Sequence, residues 1–399
     1  MFIQNFKEFE IYTNFLESDE NGRKIDMYKF ENYSITGKNL FYPNCLLKNK
    51  DNLVIPLLER TMSLKDIDPY KNLDNLSDVE IENIESIPCF FFVYNTGNYF
   101  HFLYDTLPYL ITYFKLKETI PNLKLLMQYP KPNFENHYKF VLEFLEILNI
   151  FEKDILLINS KTIYKELYIS TSYTHDIDSN LPPRKEIFDF YQNIVKKVKK
   201  KYSIDNTPKK IYISRRTHLH NDFSNIGTNY TTRRKMVNED DLVEKLLKEG
   251  YQEVFTEKLT IWEKILYFHQ ADNIAGSIGG GIANVVFCKK EAKLEAIISP
   301  GFLDVNNRFK YCLDWVDVNY NFNTCHFEKG KFKKYMRVKY RDMVGEIEDY
   351  DEDYIKIQVT EGDNVGWDFD SKYRILEVKK EEVESLDEGL NSIFFCKYT

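Results

Sequence analysis

The chain has 399 residues, 43% of them hydrophobic and 16% aromatic; this is too long for one ordinary core and too apolar for a disordered polymer, so two domains with appendages are expected. A formal charge of −8 disfavours extended nucleic-acid binding, and a phosphate ligand then has to be met by a local cluster of cations. The six cysteines (Cys45, Cys89, Cys288, Cys312, Cys325 and Cys396) form no CxxC pair and no zinc-ligand spacing, which reads as reduced, buried thiols.

Met1 to Phe15 mixes Lys7, Glu8 and Glu10 among its apolar residues. It has no signal-peptide core, and no apolar run in the chain is long enough to span a bilayer, so a cytoplasmic location is expected. Residues 1–86 read as a β-rich segment of short strands and turns.

From Ile87 the pattern changes. Ile87–Tyr94 is a continuous apolar run suited to a strand buried on both faces. A helix is expected from Tyr99 to Leu116, a strand at Leu123–Met127, a helix at His137–Leu148, and strands at Asp154–Ile158 and Leu167–Thr171. Pro182 and Pro183 are expected to open a helix running to Lys200, because proline suits a first turn. The alternation of strand and helix predicts a first Rossmann-like domain over 87–206 with a parallel sheet.

A second Rossmann-like domain is expected over 207–320. Ile211–Ser214 reads as a strand. Asn238 suits the cap of a helix over Glu239–Glu249, ended by Gly250, and Tyr251–Phe255 is the next strand. Thr260-x-x-Glu263 is a capping box opening a helix to Gln270. Asn273–Ser277 runs as a strand into Gly279-Gly280-Gly281, a short helix reaches Phe287, and Leu294–Ile298 is a further strand. Residues 321–399 are charged and irregular, and form either a small β module or a segment crossing back. The fold class is α/β.

Three groups of residues carry candidate chemistry. A glycine triplet at the carboxyl end of a strand lets backbone approach a ligand, and the start of the following helix favours a phosphate; a tight turn with close packing explains the same triplet. It does not match GxGxxG, and no acidic residue stands at the ribose position of a dinucleotide fold, which disfavours NAD. Arg215 and Arg216 directly follow the strand Ile211–Ser214, at the same sheet edge as the glycines. Arg233, Arg234 and Lys235 precede the helix at Glu239. Guanidinium forks match phosphate oxygens, although charge runs often are only solvated loops. His101 and Asp105 are four apart on one helix face, and a carboxylate can fix the tautomer of a histidine and make it a competent base; a half-buried histidine with a helical partner is the plainer explanation. Glu257, after the strand Tyr251–Phe255, is a candidate for sugar or ribose hydroxyls. Asp176-x-Asp178 resembles a metal-binding pair, and a metal mechanism through it predicts that chelators abolish activity. Asp351 and Asp353 read as surface charge.

At these residues the sequence resembles glycosyltransferase family 61. The first matching block is Asn98-x-x-His101-x-x-x-Asp105-x-Leu107-Pro108. The second is Tyr212-Ile213-Ser214-Arg215-Arg216 followed by Arg233-Arg234-x-x-Val237-Asn238-Glu239. The third is Glu257-x-Leu259, Ala271, and Gly276-x-x-Gly279-x-x-x-Ala283-Asn284-x-x-Phe287. The resemblance covers about Phe90 to Pro300. It implies a GT-B architecture of two facing Rossmann-like domains, and an inverting transfer from a UDP-sugar donor to a hydroxyl of a glycan or glycoconjugate acceptor, in surface polysaccharide or glycoprotein synthesis. No cofactor beyond that co-substrate is expected to be required, because Arg215, Arg216 and the amides after Gly279 can meet the charge on the leaving diphosphate, with the Asp176-x-Asp178 metal mechanism as the alternative. The donor is expected to meet Arg215, Arg216, Arg234, Asn238, Glu257, Gly279, Gly280, Gly281 and Asn284, with His101 and Asp105 catalytic. A homodimer is compatible with this. The sequence departs from the family pattern at Ile278, where the family has a histidine, and at Glu263-Lys264, where it often has Glu-Gln. A degenerate sugar- or nucleotide-binding protein without turnover is therefore one alternative, and a polysaccharide pyruvyltransferase of similar shape is another.

Overall fold

The computed structural model describes residues 2–37, 40, 45–56, 80–130, 136–174, 181–216, 235–236, 239–298, 313, 319–324, 337–341, 343–350, 353–361, 375–385 and 393–394. The chain divides into two units, Met1–Lys197 and Val198–Thr399.

The first unit is built on a ten-stranded sheet. Its parallel part has the order Thr162–Ser170, Cys89–Phe91, Lys124–Met127, Ile155–Leu157. The apolar run at its centre is closed from solvent, with Cys89, Phe90, Phe91, Phe92 and Val93 all fully buried, as a strand covered on both faces requires. The sheet is not the all-parallel one expected. The long strand Ile25–Thr36 lies antiparallel to Thr162–Ser170, and Leu46–Lys48 and Asn52–Ile55 extend the antiparallel part, so the N-terminal segment is one edge of the sheet. Two buried arginines fasten that segment. The Arg23 side chain donates to the carbonyls of Pro182 and Leu181 at 2.8 and 2.7 Å, and Arg184 donates to the carbonyls of Glu17 and Arg23 and pairs with Glu186. These bonds also explain why the following helix begins at Glu186 and not at Pro182: the Arg184 amide donates to the Tyr173 carbonyl, which keeps that stretch outside the helix. The helix Glu186–Lys201 buries Ile187, Tyr191, Ile194, Val195 and Val198, one face at helical spacing.

The second unit contains a five-stranded parallel sheet in the order Gln252–Val254, Lys210–Ile213, Asn273–Ser277, Lys293–Ile298, Asn319–Thr324. The helix Glu239–Lys248 covers one face, packing Leu242, Val243 and Leu246 against Tyr212, Ala275 and Ile297. Gly250, at φ 84°, ends it, a conformation open to glycine without strain. Gly281 sits against Ile213, on the opposite face, because successive strand side chains alternate. The helix Ile261–Gln270 opens on the reciprocal capping box of Thr260 and Glu263. Beyond the parallel sheet, five antiparallel strands between Arg337 and Ser385 enclose a small core of Val338, Ile347, Ile355, Ile357, Val378 and Val383. Past that sheet, Ile393–Phe394 pairs in parallel with Lys235–Met236. Asp353 is exposed, while Asp351 lies outside the described residues.

Burial pushes the thiols of Cys45 and Cys89 up to about 12, and that of Cys288 upward as well, which leaves them unreactive. No helix among the described residues is long and apolar enough to cross a membrane.

Candidate functional site

In the parallel sheet of the second unit, the first and third strands in sequence, Lys210–Ile213 and Asn273–Ser277, are neighbours. The chain leaves the first towards Gln252–Val254 and leaves the third towards Lys293–Ile298, on the other side. The connections therefore diverge at the carboxyl ends of these two strands, where open α/β sheets bind ligands. Arg215 and Gly279 each stand two residues past those ends.

The two residues meet. Arg215 Nη1 donates to the Ile278 carbonyl at 3.3 Å, and a Cβ added to Gly279 would lie 2.8 Å from that same nitrogen. Only a glycine lets the guanidinium settle there unmoved. No acceptor among the described residues takes the amide protons of Gly279, Gly280 or Gly281. Guanidinium and glycine amides together form a local positive surface on a chain of net negative charge, the combination that receives an anion.

The other expected donor residues are placed differently. Ile282–Phe287 is a six-residue 3-10 turn, not an α-helix, so it offers no extended helix dipole to a phosphate. The turn is tight because Gly281 sits against Ile213 and Thr256, where an added Cβ would lie 2.7 Å from Ile213 Cγ2. Asn284 is fully buried and donates from Nδ2 to the Gly281 carbonyl at 2.8 Å; it shapes the turn from beneath. Gly280 is exposed. Arg216 is clamped by carboxylates. Its Nε and Nη2 form a fork on Glu253 at 2.9 and 2.6 Å, and Nη1 meets Asp240 at 2.7 Å. The Glu253 hydrogen bonds push the Arg216 guanidinium further up. Burial raises the Glu253 carboxyl, but the bonds from Arg216 more than offset this and leave it below the ordinary glutamate value. Glu257 is half-buried in the 3-10 turn Thr256–Lys258, whose first residue packs on Gly281. Arg233, Arg234, Asn238, Asp176 and Asp178 lie outside the described residues. Ile278 is buried, and its amide donates to the Ile297 carbonyl at 2.9 Å.

Glu239, which opens its helix and closes the second family block, is not among the expected site residues. It is buried, and its Oε1 accepts from the Arg215 amide at 2.7 Å, from Tyr212 Oη at 2.9 Å and from Ser214 Oγ at 3.4 Å. Burial raises its carboxyl above the ordinary value, against the opposing pull of these donors.

In the first unit, His101 and Asp105 stand just beyond the strand Cys89–Phe91. Asn98 caps the short helix Tyr99–His101. The expected continuous helix is interrupted, because Phe102–Thr106 widens into a π-turn closed by the Leu107 amide on the Phe102 carbonyl. Pro108 has no amide proton to give the Leu103 carbonyl, and Tyr191 Oη supplies that bond at 2.6 Å. Such single π-turns are frequent at functional sites. His101 Nδ1 and Asp105 Oδ2 are 2.7 Å apart; the histidine side chain is 41% exposed and the aspartate 6%. Thr174, which the motif reading passed over, donates to Asp105 Oδ1 at 3.4 Å. A buried carboxylate held on a histidine that reaches solvent fixes which ring nitrogen carries the proton.

The family model described as Glycosyltransferase 61 matches residues 99–294, a span that holds the His101–Asp105 pair and the Arg215–Gly279 contact. No curated protein matches the chain. Through residues 99–294 the chain belongs to glycosyltransferase family 61.

Proposed function

We propose that this glycosyltransferase moves a sugar from a UDP-sugar to a hydroxyl of a glycan or glycoconjugate acceptor with inversion at the anomeric carbon, as a step in surface polysaccharide or glycoprotein synthesis. The labour is divided in the GT-B manner, with donor binding in the second unit and acceptor activation in the first. The observation that carries the assignment is the Arg215 guanidinium resting on Gly279 at the carboxyl ends of two central parallel strands.

In this scheme the acceptor oxygen attacks the anomeric carbon in line with the bond to the leaving phosphate. His101 Nε2 takes the acceptor proton while Asp105 holds Nδ1 and stabilises the imidazolium. The bond from the anomeric carbon to the phosphate oxygen breaks, and UDP leaves with the electron pair. Arg215 and the Gly279–Gly281 amides meet the charge that develops on it, which is stabilisation preorganised for the transition state. No step of this scheme calls for a metal. The experiment is to incubate the full chain with UDP-sugars and glycan acceptors, follow UDP release, and read the new linkage by NMR. Opposite anomeric configurations in donor and product support inversion, whereas retention removes the single-displacement mechanism.

Ile278 favours a second reading, a binder without turnover. It fills the place where the family carries a histidine, and its buried side chain offers no hydrogen bond. UDP-sugar binding with neither transfer nor donor hydrolysis selects this reading.

A further inference from the structure

We propose that Glu239 is the positioning residue of the donor site: bonded to the Arg215 amide, Tyr212 Oη and Ser214 Oγ, its carboxylate fixes the chain path that lays the Arg215 guanidinium on Gly279. The role rests on the donor assignment given above.

The geometry supports a positioning role over a purely packing one. A residue needed only to cover Tyr212 could be apolar, like Leu242, Val243 and Leu246 on the same helix. Glu239 instead carries a buried carboxylate, which is costly unless hydrogen-bonded, and one of its bonds is the main-chain amide of the arginine itself. The next residues reinforce this. Ser214 Oγ donates to Glu239 and accepts the Arg216 amide at 3.1 Å, while Asp240 and Glu253 hold the Arg216 side chain. Consecutive residues 214–216 are each fixed through a different group, and the carboxylates draw Arg216 to Glu253 while the Arg215 side chain goes to the glycine turn. Glu239 faces Tyr212, Arg215 and Arg216, and the neighbouring acids are Asp240 and Glu253.

A double-mutant cycle on the full chain tests the idea, with UDP-N-acetylglucosamine or whichever UDP-sugar the wild type binds as the probe. Glu239→Ala is expected to weaken binding roughly tenfold, the scale of a lost hydrogen bond to a charged group, and Glu239→Gln, which still accepts from the Arg215 amide, to recover most of the loss. In an Arg215→Ala background, Glu239→Ala is expected to cost almost nothing more, because a residue acting through Arg215 has nothing left to position. If Glu239→Ala does not fold, the same cycle runs with Tyr212→Phe and Glu239→Gln, both smaller than the Arg215→Ala effect and both silent in its background. Wild-type affinity in Glu239→Ala, or an equal loss with and without Arg215, overturns the positioning role while leaving the donor assignment standing. A wild-type chain that binds no UDP-sugar, together with an unaffected variant series, removes the donor assignment and the role with it.

Discussion

Arg215 Nη1 stands 2.8 Å from the place a β-carbon would occupy on Gly279, and only the absence of a side chain at Gly279 allows the contact. The neighbouring glycines face different atoms, so one substitution gives different outcomes along the loop. In Gly279→Ala the obstructed group is the end of a flexible side chain, and the guanidinium swings away at little cost to the fold. Donor affinity should fall severalfold with a nearly unchanged melting temperature. In Gly276→Ala the new methyl would meet the Ile213 carbonyl and Ile282 Cδ1 at 2.9 Å, both in packed surroundings. A loss of about 1–3 kcal/mol is expected, the usual scale of overpacking. Differential scanning fluorimetry with and without a UDP-sugar separates the two effects.

Arg215 and Arg216 are adjacent in sequence and unequal in structure. Arg216→Ala leaves Glu253, whose side chain is 15% exposed, without its guanidinium fork. The expected result is a stability loss of about 1–2 kcal/mol with UDP-sugar affinity within about twofold of wild type. Urea denaturation and a binding titration on the same preparation check this. A large loss of affinity at unchanged stability would move Arg216 into the donor site.

His101 and Asp105 should affect turnover and not donor binding. His101→Ala is expected to lower the transfer rate by roughly a hundredfold or more, the usual contribution of a general base. Asp105→Asn keeps the shape but no longer stabilises the imidazolium, and should lower the rate at unchanged UDP-sugar affinity. Steady-state kinetics set against direct binding provide the check, and loss of donor binding in either variant contradicts the assignment.

The Glu239 carboxyl lies above its unfolded value because of burial, so the folded chain holds that proton more tightly than the unfolded one. This group's contribution to stability is present below the unfolded value and is lost as pH rises through the raised folded value. At neutral pH the ionised carboxylate is a net cost. Glu239→Gln should therefore match or exceed wild-type stability at neutral pH and lose that advantage on acidification. Denaturant midpoints of the two proteins across the acid range test the crossing.

Local signals carried well from sequence to structure. The helix Ile261–Gln270 lies where the capping box puts it, and the strand Asn273–Ser277 runs into the glycine triplet as expected, because each is decided by residues a few positions apart. Arg215 and Gly279 were legible as neighbours because both follow parallel strands, and in such a sheet those ends share one edge. Long-range partners were not legible. The antiparallel strand Ile25–Thr36 pairs with Thr162–Ser170, and nothing in either strand names the other, so the first sheet is mixed where a parallel one was expected. The carboxylates that bind Arg216 come from the helix start at Asp240 and the strand residue Glu253, and charge alone did not tell them from surface acids. The π-turn at Phe102–Thr106 had one visible signal, Pro108, which ends the regular ladder ahead of it.

Isothermal titration of the wild-type chain and of Arg215→Ala with a UDP-sugar examines the donor site most directly. Selective binding by the wild type, weakened roughly tenfold to a hundredfold on loss of the charged fork, is the expected result. Equal affinity in the two proteins would show that the diphosphate does not rest on Arg215 and Gly279.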